Sequence, residues 1–204
     1  VGHAGEWKEV SIVIDKRDPF FTDFSPNPQD VPWLRTFTPD LSIKAKDNLT
    51  IADAITGVRS ETIEYSISTT GIDNFEEWVS ADLHHEESIK PIDTIDVKLK
   101  PRFVEGKENY IKYRAKDFAG NGFAYSDVYN LNIDVTPVEV QDFFPTANVW
   151  HDLTAVTERD IECYLYDETS GIMTNSIYYR IGSAYDDETS TYTWETGIPQ
   201  LKGW

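Results

Sequence analysis

Cysteine is nearly absent from this sequence: Cys163 stands alone in 204 residues. A single thiol closes no internal disulfide, which excludes the disulfide-stapled class of small secreted scaffolds; prokaryotic surface proteins do without such bridges. Long apolar runs are lacking too. No stretch approaches the roughly 18 to 20 residues that cross a bilayer, and Val1 opens no signal peptide, so targeting or anchoring segments are expected only outside this sequence. Basic residues are scarce: 18 lysines and arginines face 36 aspartates and glutamates, a formal charge of −18. Such a surface repels phosphate backbones and anionic lipid, which sets nucleic acid aside as a partner, and it attracts cations. Catalytic motifs are missing as well. No serine sits in G-x-S-x-G, no glycine-rich loop is built for phosphate and no histidine pairs with Cys163, so the expectation is a protein that is not an enzyme.

What is present is a core and a strand pattern. Residues are 40% hydrophobic and 13% aromatic, enough to bury, so the charge belongs on the surface of a folded chain. Apolar and polar residues alternate with period two in Glu9 to Ile14, Leu41 to Lys46, Thr62 to Ile67, Ile95 to Lys100, Asn109 to Ala115 and Tyr129 to Ile133. These read as half-buried strands. Turn clusters separate them, such as Ser25-Pro26-Asn27-Pro28 and Gly120-Asn121-Gly122, while Pro19 and Pro137 begin first strands, where a missing N–H is harmless. No window holds a helical stripe, though Phe75 to Val79 leaves room for one short turn. Strands and turns at this spacing predict an all-β chain of antiparallel β-sandwiches.

The pattern also occurs twice. Phe21 to Pro26 aligns with Val140 to Pro145 at an offset of 119, and Ile63 to Ser68 aligns with Ile177 to Gly182 at 114. Lys116-Asp117-Phe118-Ala119-Gly120-Asn121, running on to Asp134, has a counterpart in Gly2 to Trp7, running on to Asp15. Self-similarity of this kind marks an array of repeated units. It divides the chain into the closing strands of one repeat at 1–15, a complete repeat at 16–137 and the first part of another at 138–204. Two strands alone bury too little to be stable, so the incomplete pieces are expected either to belong to a longer chain or to be completed by strand donation between copies.

The stretch Tyr110-Ile111-Lys112-Tyr113-Arg114-Ala115-Lys116-Asp117-Phe118-Ala119-Gly120-Asn121, followed by Ile133-Asp134-Val135-Thr136-Pro137, resembles the close of a prokaryotic immunoglobulin-like or fibronectin type III-like repeat. Asp167-Glu168-Thr169-Ser170-Gly171-Ile172, leading to Tyr179, and the segment from Asp47 to Tyr65 are similar to the middle of such repeats. The resemblance implies tandem immunoglobulin-like sandwiches in a cell-surface, extracellular protein of adhesin, stalk or S-layer type. Its partners would be neighbouring repeats, further copies of the chain, or a cell-surface or carbohydrate ligand. The alternatives it leaves are an accessory spacer or carbohydrate-binding module of a secreted hydrolase and, third, a membrane receptor's sensor ectodomain.

Adhesin repeats of this kind often hold calcium at domain junctions, which makes Asp117, Asn121 and Asp134 the candidate ligands, with Asp23 or Asp142 and backbone carbonyls completing the six to eight oxygens the ion needs. The competing reading gives Asp117 a turn to shape and Asp134 a strand to end. His84-His85-Glu86-Glu87 carries metal-ligand types, but neighbours in a strand point to opposite faces, so a solvated loop is expected. Cys163 falls at the register of core-facing Ile43 and is expected to be buried. Trp33 and Trp150, like Trp78 and Trp194, occupy equivalent places, which points to structural roles rather than a sugar platform. Asn48-Leu49-Thr50 is a glycosylation triplet.

Overall fold

The computed structural model describes residues 14–47, 57–81, 93–144 and 162–177. The chain forms two compact units, Val1–Val135 and Thr136–Trp204. Strand pairing throughout the named elements is antiparallel. The strand and turn signals of the sequence therefore produce an all-β chain.

In the first unit, β1 (Phe20–Ser25), β2 (Leu41–Lys46) and β5 (Thr94–Leu99) form one sheet in the order β1-β2-β5. The second sheet runs β4 (Val79–Ser80), β3 (Glu64–Ser68) and β6 (Gly106–Ala115), with β7 (Ala124–Tyr125) and β8 (Tyr129–Ile133) both on the far side of β6. Alternation explains which face is inside. Leu41, Ile43 and Ala45 are buried while Ser42, Lys44 and Lys46 are not, and across the ladder Ile43 lies opposite Val97 and Ala45 opposite Ile95. On the other sheet Ile111, Tyr113, Ala115, Leu131 and Ile133 are buried. Residues of both sheets belong to one apolar cluster, joined by Val58, Ile63, Ala81 and Phe103. Each large aliphatic side chain so buried contributes about 1.5–3 kcal/mol. Tyr113 lies at the centre, with the rings of Phe21 and Phe24 at 6.1 and 6.3 Å.

Two details shape the β8 edge of the second sheet. After β1 the chain crosses to the second sheet, where Leu34 bridges Ile133 in parallel: its N–H donates to Asn132 and its carbonyl accepts from Asp134 N–H, both at 2.9 Å. On the same edge, β7 and β8 follow one another along β6 with a break that begins at Ser126. The Ser126 N–H donates to Tyr113 O at 3.0 Å and its hydroxyl accepts the Tyr113 N–H at 2.9 Å, so a side chain replaces the carbonyl that a continuous ladder would supply. Phe75 to Trp78 makes no helical turn; it runs without regular structure into β4.

In the second unit, β9 (Glu139–Phe144) pairs with β10 (Glu162–Tyr166). Its register matches that of β1 and β2: Phe21 faces Ala45 as Val140 faces Leu165, and each pairing shifts once, between Thr22 and Ser25 and between Glu162 and Tyr164. The shift comes with an aspartate in left-handed backbone, Asp23 at φ 57° and Asp142 at φ 48°. The carboxylate of Asp23 takes Lys44 at 3.2 Å and Lys46 at 3.4 Å, and these partners hold its pKa below the usual carboxylate range. Further along, Gly57 and Gly171 both have positive φ, and short 3-10 turns follow at Ser60–Thr62 and Thr174–Ser176. Thr62 N–H and hydroxyl both donate to Arg59 O, as Ser176 N–H and hydroxyl donate to Met173 O.

Candidate functional site

Asp117 and Asn121 come together in the turn after β6. Gly120 takes the left-handed φ of 85° that lets the chain double back, and its N–H donates to Asp117 Oδ1 at 2.9 Å. Asn121 N–H donates to the same oxygen at 3.1 Å and its Nδ2 to Oδ2 at 2.6 Å. Asp117 is wholly buried, so these donors serve in place of water. Asn121 Nδ2 also reaches the carbonyls of Arg17 at 3.1 Å and Asp15 at 3.5 Å, fastening the incoming segment to the turn.

Asp134 lies elsewhere. Ile133 pairs with Gly106 at the start of β6, whereas Asp117 follows its last residue, Ala115. Ten residues of strand at about 3.3 Å each put the two carboxylates on the order of 30 Å apart. The three expected calcium ligands thus do not make one ligand set, and both oxygens of Asp117 already face N–H donors of its own turn. Among the described residues no three His, Cys, Asp or Glu side chains converge as a metal site does. His84 to Glu87, Asn48 and the tryptophans at 150 and 194 lie outside the described residues.

Cys163 departs from expectation: it is exposed. Its counterpart Ile43 in the first unit is covered by the second sheet of that unit, and among the described residues of the second unit no such layer lies over β10.

The sequence reading missed the most concentrated chemistry of the first unit, on the outer face of the second sheet. Ile111, Tyr113 and Ala115 point inward, so Lys112 and Arg114 point outward, two residues and about 6.6 Å apart along β6, and Lys116 follows directly after the strand. Aromatic rings from the flanking segments fill the gaps. Lys112 Nζ sits 3.9 Å from the Phe75 ring centre and 5.2 Å from that of Trp78. The Arg114 guanidinium lies between Trp78 at 4.3 Å and Phe123 at 4.1 Å, and Lys116 Nζ lies 4.3 Å from Phe123. The order across the face is Phe75, Lys112, Trp78, Arg114, Phe123, Lys116. Each such pair contributes about 0.5–1 kcal/mol when exposed and more when desolvated. Arg114 Nε also donates to Glu64 Oε2 at 2.5 Å, while among the described residues neither Lys112 nor Lys116 has a carboxylate partner. Tyr125 faces Arg114 across the ladder, 60% exposed and 5.9 Å from Trp78. The face can thus present fixed cations beside an open ring. The signal was in the alternation Lys-x-Arg-x-Lys set against Phe-x-Tyr in the returning strand.

On the other side of β3, an open cleft of about 370 Å³ is lined by Tyr65, Ile67, Val79 and Phe103, with Glu76, Glu77 and Arg102 among its polar residues. No family model, curated protein or solved structure matches the chain.

Proposed function

We propose that the chain is a non-enzymatic segment of an extracellular prokaryotic surface protein, a run of tandem immunoglobulin-like β-sandwiches with a structural and adhesive role as stalk, adhesin or S-layer. The observation that carries this reading is the recurrence of one local design. The left-handed Asp23 and Asp142 are 119 residues apart, and the Gly57 and Gly171 turns with their 3-10 caps follow at 114. A repeated unit of this size suits reach and multiple contacts rather than a single catalytic centre. Two antiparallel sheets around one core, with β2 to β3 and β5 to β6 crossing between them, fit the immunoglobulin-like arrangement the sequence resembles.

The test is location. An antibody raised against this chain is expected to label intact cells that produce the protein, and labelling only after permeabilisation would overturn the reading. A second reading, the carbohydrate-binding accessory module of a secreted hydrolase, draws on the exposed Tyr125 beside Trp78. In that case the antigen appears in the medium attached to a hydrolytic activity.

A further inference from the structure

We propose that the outer face carrying Lys112, Arg114, Lys116 and Tyr125 binds an acidic polysaccharide through its uronate carboxylates. The inference deepens the adhesive reading by naming its ligand class, and it rests on that reading for its setting alone.

Charge is the first argument. In a chain with twice as many acidic as basic residues, two cations on one strand face and a third in the residue that follows the strand stand out. Among the described residues the one carboxylate ion-paired with them is Glu64, bound to Arg114, and Glu76 and Glu77 line the cleft alongside the inward-facing Tyr65 and Ile67. Preorganisation is the second. A free lysine or arginine loses about 2 kcal/mol of rotamer entropy when a ligand fixes it, but here the rings of Phe75, Trp78 and Phe123 already hold the cations. The rings also confine Arg114: its guanidinium carbon lies 4.3 Å from the Trp78 ring centre and 4.1 Å from that of Phe123, which leaves the N–H groups not given to Glu64 for a carboxylate. Tyr125 supplies the third argument. A pyranose presents C–H groups on its flat face, and an exposed phenol ring offers both a surface for them and a hydroxyl at the rim.

The same observations disfavour a polynucleotide. Its charges follow every ~1.7 Å of duplex and would meet the net −18 of the chain over a long front, whereas one carboxylate per sugar matches widely spaced cations. Repulsion from the rest of the surface is screened beyond about 8 Å at physiological salt.

The experiment is calorimetric titration of the whole chain with hexagalacturonate and, in parallel, with neutral maltohexaose. Saturable binding of the acidic oligomer is expected at about 50 mM salt, weakening several-fold by about 200 mM. The double variant Lys112→Gln, Lys116→Gln should lose about tenfold in affinity, and Tyr125→Ala several-fold. Lys98→Gln on the other sheet should bind as the parent does. Tyr125 is exposed, so its variant folds even where the lysine pair is needed for stability. No binding at low salt, undiminished affinity in Tyr125→Ala and the lysine variant, or equal binding of the neutral sugar would each overturn the proposal. So would self-association that the lysine variant abolishes, since the face would then meet a second copy. Surface labelling without galacturonate binding would sink this inference and leave the adhesive reading standing; binding without surface labelling would do the reverse.

Discussion

Replacing Asp117 with alanine distinguishes a turn held by hydrogen bonds from one held by an ion. The carboxylate accepts from Gly120 N–H, Asn121 N–H and Asn121 Nδ2 at 2.9, 3.1 and 2.6 Å and is wholly buried. A hydrogen bond to a charged group contributes about 1.5–3 kcal/mol, and several on one acceptor do not add. Gly120 is exposed and Asn121 half-buried, so water can reach some of the donors released. The net cost of Asp117→Ala should therefore be about 3 kcal/mol, a large share of the ~5–15 kcal/mol that holds a domain together. Asp117→Asn keeps one carbonyl oxygen for the two backbone N–H groups and should lose about half as much. Urea unfolding at unchanged slope measures both, repeated in EDTA and in excess calcium. Because the oxygens face N–H donors, the parent protein should unfold at the same urea concentration in either condition. A loss below about 1 kcal/mol would refute the hydrogen-bond accounting. A calcium-dependent gain in the parent that vanishes in Asp117→Ala would establish a metal site at this turn.

Two further expectations concern the core and the broken edge strand. The Tyr113 hydroxyl is buried without a hydrogen-bond partner among the described residues, so Tyr113→Phe should be neutral or stabilising by up to about 1 kcal/mol at neutral pH. Burial, reinforced by Tyr129 and Tyr65, pushes the Tyr113 phenol far above the ordinary tyrosine range. A pKa raised by folding means stability that is complete below the unfolded value near 10 and lost as pH rises beyond it. Parent and variant should thus diverge by about 1.4 kcal/mol for each pH unit above that point in alkaline unfolding curves, and parallel curves would refute the assignment. Ser126→Ala removes the acceptor of the Tyr113 N–H and should cost about 1–3 kcal/mol, with faster hydrogen exchange at that amide as the direct readout. An unchanged exchange rate would show that the ladder closes without the hydroxyl.

Alternation carried most of the first unit. Leu41 to Lys46 and Tyr129 to Ile133 are strands with the limits the sequence suggests, because each has apolar residues on one side only. The interruption at Ser126 was not legible, since it depends on a hydroxyl standing where a carbonyl would be, and no periodicity records that. Phe75 to Val79 reads as one short turn in isolation; instead it runs without helix into β4, with Phe75 and Trp78 against cations on β6, a partner distant in sequence. The separation of Asp117 from Asp134 was implicit in the strand pattern. Two residues flanking an antiparallel pair, one after each strand, must lie at opposite ends of it.

That separation bears on how the segment entering the first unit is held. A bound ion needs carboxylates that converge, and of the buried aspartates Asp47, Asp117 and Asp134 the first unit sends the last two to opposite ends of β6 and β8. What it does place at the incoming end is a carboxamide. Asn121, held by Asp117, gives its side-chain N–H groups to the carbonyls of Asp15 and Arg17, and Asp15 Oδ1 in turn accepts the Arg17 N–H at 2.9 Å. Residues 15 to 17 are thereby fixed to the β6–β7 turn by neutral donors. An acidic chain gains from this arrangement, because a carbonyl-to-carboxamide clasp is indifferent to the ionic strength that governs attractions between its charges.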